Sequence, residues 1–154
     1  MRKSLALAAM AVGLTVAVVS CADDSQPHEA ALAVAHVADA IEMYEDAGIE
    51  STLAHYDDPA SIDGEFYVVI TGPDNTVLNH PYRPALTGTT AQAVTMDDGR
   101  LATEAIRASV SSGQPAWVSF NFFNPVNDAL ERKHVWAVPH DGYVFVAGYY
   151  EPIG

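Results

Sequence analysis

"SFNFFNPVNDALERKHVWAV" (Ser119–Val138) holds two strands and the turn between them. Aromatic residues dominate its first part, and Asn124-Pro125 stops that run, because proline has no N–H to give to a strand ladder. The chain crosses a polar turn and returns through Lys133 and Trp136. Side chains of a strand alternate between faces. Trp117, Ser119 and Asn121 therefore share one face, and Val118, Phe120 and Phe122 the other. The pattern fits either a hairpin packed for stability or the wall of a pocket.

Strands are expected over 115–123, 132–139 and 143–150, the last two joined by a His140-Asp141-Gly142 turn. Upstream, "EFYVVIT" (65–71) is rich in aromatic and β-branched residues, and "TVLNH" (76–80) returns after the turn "GPDNT" (72–76). Pro81, Pro84 and Gly88 mark an irregular crossing. Asp97-Asp98-Gly99 is a turn suited to capping a helix over 100–110. At the other end Leu32, Val34, Ala35, Val37, Ala38, Ile41 and Tyr44 recur at helical spacing, and Gly48 is placed to stop that helix. A second helix is expected over 49–56. These elements predict an α+β fold: a five-stranded antiparallel sheet, a long N-terminal helix and a loop-and-helix insertion. The first helix covers one face. The crossing 81–94 and the second helix are expected on the other, and a cover made of loops leaves a cavity.

Residues 1–20 are set apart from the fold. A basic start, an uncharged apolar run from Leu5 to Val19 and a small residue at the cut form a secretory signal. The run is too short for a membrane span. Val18-Val19-Ser20-Cys21 resembles the lipobox of bacterial lipoproteins. That resemblance implies that Cys21 carries lipid, and that residues 21–29 tether a single domain over 30–154. Ala22 and Asp23 after the cysteine imply the periplasmic side of the outer membrane rather than the inner one. Cys21 is the one cysteine, so disulfides, thiol nucleophiles and cysteine metal sites are not expected.

The chain carries 20 acidic and seven basic residues, and two of the basic ones lie in the leader. Such a surface repels nucleic acid and anionic headgroups. A small anion needs a local cation, and the mature chain offers Arg83, Arg100, Arg107, Arg132 and Lys133. None of the six histidines is paired at i, i+4 or as His-x-His, so no metal is expected. No nucleophile motif or phosphate-cradling loop occurs, so neither an enzyme nor a cofactor is expected.

Five segments in order resemble a single-Cache domain, the extracytoplasmic sensor module related to the PAS fold. They are "DGEFYVVITGPDNTVLNHP", "PALTGTT", "GQPAWVSFNFFNP", "ERKHVWAV" and "DGYVFVAGYY". The resemblance implies a pocket between sheet and covering loop for a small carboxylate or amino acid. It departs from the family at Phe120, Phe122 and Asn121, where polar handles are replaced, which puts the ligand class in doubt. On this reading Tyr67, Trp117 and Phe120 form an apolar wall, and His80, Arg83, Asn124 and Lys133 hold the polar end. No span or signalling domain follows Gly154, so a free-standing lipoprotein is expected, touching the membrane through its lipid alone and presenting ligand to a membrane sensor or transporter. The rival is a structural or interaction lipoprotein with its cavity filled by its own side chains.

Overall fold

A computed structural model describes residues 27–90, 96 and 99–154. The leader, Cys21 and the Asp97-Asp98 turn lie outside the described residues. Helix α1 runs His28–Asp57 and is bent at Gly48, whose φ of 78° and ψ of 171° leave the helical region. Glycine meets that geometry without a Cβ penalty. The break falls where the sequence places it, and the helix resumes beyond it.

The strands are β1 (Val69–Thr71), β2 (Val77–Asn79), β3 (Ala116–Phe123), β4 (Leu130–His140) and β5 (Tyr143–Pro152), with α2 (Ala102–Ser109) between β2 and β3. They form one sheet in the order β2-β1-β5-β4-β3, antiparallel at every pairing. The expected α+β architecture is therefore present. Asp141 and Gly142 take positive φ, of 48° and 84°, as a two-residue hairpin turn requires.

The expected strand over 65–71 shortens to three residues. The cause is Asn79, which is fully buried. Its Oδ1 accepts from Ile70 N–H at 2.7 Å, and its Nδ2 donates to Val68 O at 2.9 Å and Tyr56 O at 3.3 Å. A side-chain amide thus stands where a neighbouring strand's backbone would, at a register shift between Ile70 and Thr71. Asn79→Ala removes the partner of one N–H, that of Ile70, and of two carbonyls, those of Val68 and Tyr56. It is expected to cost about 3 kcal/mol, read from the urea midpoint; a loss within about 0.5 kcal/mol of zero refutes this account.

One sheet face packs Ile70, Phe145 and Ala147 against Val37, Ala40 and Tyr56 of α1. The second helix, expected on the opposite face, stays here as the continuation of α1, with Ile49 and Leu53 joining the same cluster. The other face is covered by α2 and the short turn Pro84–Leu86, where Ala102, Ile106 and Leu86 meet Phe120, Val135 and Val146. Arg107 of α2 pins this cover by donating to Gly72 O at 2.5 Å and Gly142 O at 3.3 Å, one carbonyl from each hairpin turn.

Candidate ligand-binding cavity

Between the sheet and this cover lies a cavity of about 70 Å3. Its wall is mostly aliphatic and aromatic, including Val77, Leu86, Ile106 and Phe120, and its polar groups come from Thr71, Thr103, His80 and Lys133. Lys133 is the one charged residue among the described wall residues.

The alternation of β4 fixes the direction of Lys133. It lies on the same face as Val135 and Ala137, opposite Phe120 on β3 and Tyr150 on β5. Its residue is 6% exposed. Nζ donates to Tyr67 Oη at 2.6 Å, and that oxygen is 3.0 Å from Tyr150 Oη. The ammonium also sits 4.0 Å from the Tyr67 ring centre, 4.9 Å from that of Tyr150 and 5.5 Å from that of Phe122. Among the described residues no carboxylate pairs with it. Rings and phenols compensate a buried cation only in part, since its desolvation costs several kcal/mol. Burial and the neighbouring Tyr67 raise the Tyr150 phenol well above its usual range, so it stays protonated as a donor.

His80 is buried at the same wall, its ring 5.2 Å from that of Tyr67. Its Nδ1 accepts from Arg83 N–H at 3.1 Å, which assigns the proton of the neutral ring to Nε2. Burial first, then the charges of Lys133 and Arg83, lower its pKa to about 3. The imidazole is therefore neutral at pH 7. The unfolded chain takes up this proton near pH 6.5 and the folded one does not, so the folded state loses stability as pH falls from 6.5 toward 3. The slope from this group is at most about 1.4 kcal/mol per pH unit. His80→Gln is expected to flatten stability against pH over that window by up to one proton, measured by urea titrations at pH 7, 5.5 and 4.5. An unchanged slope refutes the neutral buried ring.

Arg83 stands beside this group with its guanidinium 4.7 Å from the Phe122 ring centre. His80, Phe120 and Lys133 thus line the cavity, and Tyr67, expected on its wall, contacts the lysine and the His80 ring without bordering it. Trp117 and Asn124 do not join them. Trp117 lies on the opposite face, tilted on Trp136 at 5.2 Å and packed with Ala30, Ala33 and Tyr149. Asn124 is consumed by its turn: Oδ1 accepts from Val126 N–H at 3.0 Å, and Nδ2 donates to Glu131 at 2.9 Å and Glu65 at 3.2 Å. Tyr150 and Phe122 were missed as contacts of the lysine. The signal for Tyr150 was the alternation Val144, Val146, Tyr150 along β5, which sends Tyr149 the other way.

Ser119, His134 and Glu151 form a chain of contacts on the α1 face, Oγ to Nδ1 at 2.7 Å and Nε2 to Oε2 at 3.1 Å. A serine hydrolase uses such a series. Here none of the three borders the cavity, and the Glu151 side chain is 52% exposed. Among the described residues no cluster of three or more His, Cys, Asp or Glu suited to a metal is present. No described helix is long and apolar enough to cross a membrane.

No family sequence model and no curated protein sequence matches the chain. Solved structures do. A methyl-accepting chemotaxis protein from Vibrio parahaemolyticus aligns at 14% identity over 79% of this chain and 87% of its own, with a TM-score of 0.64. A Cache chemosensory domain described for carboxylic acid recognition aligns at 16% identity over 81% of this chain and 99% of its own, TM-score 0.62. A periplasmic sensor domain of a chemotaxis protein aligns at 17% identity over 78% and 88%, TM-score 0.59. With its bent N-terminal helix, five-stranded sheet and covered cavity, the chain is built on the fold of the Cache chemosensory domains.

Proposed function

We propose that this domain binds a small carboxylate in the cavity between the sheet and α2, outside the cytoplasm, without catalysing a reaction. The carrying observation is Lys133, a buried ammonium on the cavity wall with no carboxylate partner among the described residues. An anion supplies the missing charge, and the Nε2–H of His80 adds a neutral donor. An amino acid is the weaker candidate, because no acidic side chain among the described wall residues would meet its ammonium. A cavity of about 70 Å3 limits the ligand to a few heavy atoms.

Lipid on Cys21 would hold the domain at the periplasmic face of a membrane, outer rather than inner. The bound state would be offered to a separate membrane sensor or transporter. A pull-down with and without acid that finds no differential partner removes that last step. The rival reading, an interaction lipoprotein with a filled cavity, draws support from Tyr67, which already occupies one hydrogen bond of Lys133.

A thermal-shift panel separates these readings. Short monocarboxylates are expected to raise the melting temperature where the matching amines and amino acids do not. Saturation at 100 times Kd contributes about 2.7 kcal/mol, or roughly 8 °C for a domain of this size. Shifts with amines alone refute the anion site, and silence across acids favours the filled cavity.

A further inference from the structure

The end of the domain where α1 begins carries an uncovered apolar row. Phe123 pairs with Leu130, and Glu131 with Pro152. One further step of the same register sets Ile153 beside Leu130 on the same face. Val126 projects from the turn between β3 and β4 and is 62% exposed. Among the described residues these make up four of the five exposed large apolar side chains, the other being Val34. The start of α1 lies at the same end: Ala30 and Ala33 pack on Phe66 and Tyr149, and Tyr149 is four residues before Ile153, which directly follows the last residue of β5.

The chain upstream selects the occupant. Only Ala22–Pro27 separate Cys21 from the first residue of α1. Fully extended, that link spans about 25 Å. A lipid on Cys21 would therefore hold this end close to the bilayer, and the inference rests on that reading. Around the row the local charges are mixed, Asp128 and Glu151 against Arg132 on the same face and Arg83 6.0 Å from the Phe123 ring centre, but the whole chain carries a net charge of −13. An anionic surface would repel it, so charge selects a zwitterionic one. Half-exposed Phe, Leu and Ile side chains gain by entering the boundary between headgroups and acyl chains. We infer that Phe123, Val126, Leu130 and Ile153 rest in the interfacial zone of a zwitterionic bilayer and seat the domain end-on.

The test uses the full chain purified from membranes, reconstituted in phosphatidylcholine vesicles with and without brominated acyl chains. Val126→Trp places a reporter on the row. Ser112→Trp places one in the exposed turn between α2 and β3, before the end of β3 opposite the row. The first is expected to be quenched by the brominated lipid, because its ring lies at the acyl boundary, and the second to keep its emission. Equal emission at both positions overturns the inference. So does a blue-shifted, unquenched signal from Val126→Trp, which means that a second copy or a protein partner covers the row. A mass measurement reports separately on Cys21. If that cysteine carries no lipid, the row alone must hold the chain to the vesicles. Co-sedimentation that disappears in Leu130→Asp then supports the seat, and absence of co-sedimentation overturns it.

Discussion

Gly148→Ala is expected to lower the melting temperature more than any other substitution considered for this domain. Gly148 lies on β5 opposite Val135 of β4. A Cβ built there runs into the carbonyl oxygen of His134 and comes within 2.9 Å of Val135 Cγ1. The first obstacle is backbone, so no rotamer change relieves it. β5 is also the central strand, with β1 on one side and β4 on the other. Moving it disturbs both pairings and the α1 face together. The expected cost is about 4 kcal/mol or more, at the top of the range for single substitutions. For a domain whose whole stability is about 5–15 kcal/mol, that is a large share. Circular dichroism melts of Gly148→Ala beside Gly113→Ala check it. Gly113 has a φ of 80° but open space around it, so its variant is strained without a clash. If the two melt alike, the close approach at Gly148 is not what fixes the residue.

That glycine also marks how far the sequence could be read. "DGYVFVAGYY" gave the last strand and its turn, because Asp-Gly chemistry and β-branched content are local signals. It did not tell Tyr149 from Tyr150, because alternation shows which residues share a face but not which cover each face receives. The small residues of α1 decide that. Ala30 and Ala33 let the helix sit close on Tyr149 and Trp117, which draws Trp117 away from the cavity side. The pairing of the two strands sets Phe120 opposite Lys133, a neighbour that alternation within one strand does not reveal. Asn124 fails for a different reason. One of its partners, Glu65, is 59 positions away in sequence, and no local pattern announces that the amide will be spent there. Asn79 is similar: it read as the end of a strand, and it acts as a substitute for one. The legible part of the fold was its strands, turns and first helix. The illegible part was every contact made by a polar side chain across the sheet.

Lys133→Met is expected to abolish the response to carboxylates and, in the ligand-free protein, to leave stability equal or raise it by about 1 kcal/mol. The two effects have one cause. The methionine keeps the volume and removes a buried charge whose compensation is one phenol at 2.6 Å and the faces of three rings. A cation–π contact contributes about 0.5–2 kcal/mol and a charged hydrogen bond about 1.5–3. Desolvation of the ammonium is of similar or larger size, so little is lost when all of them go together. Binding is different, because a carboxylate in the cavity then has no cation. Removing one member of a buried charged pair costs about 2–5 kcal/mol, a fall in affinity of at least thirtyfold. Tyr67→Phe separates the lysine from its anchor. It removes the acceptor of the 2.6 Å bond while keeping the ring, and is expected to weaken binding less than tenfold. Calorimetric titration with a short monocarboxylate and urea melts of the three proteins decide the matter. If Lys133→Met destabilises the ligand-free fold by 2 kcal/mol or more, the ammonium is holding the core together. The cavity is then a packed joint, and the interaction-lipoprotein reading takes its place. If the free protein is as stable as before and only the acid response is gone, the charge was kept for a ligand.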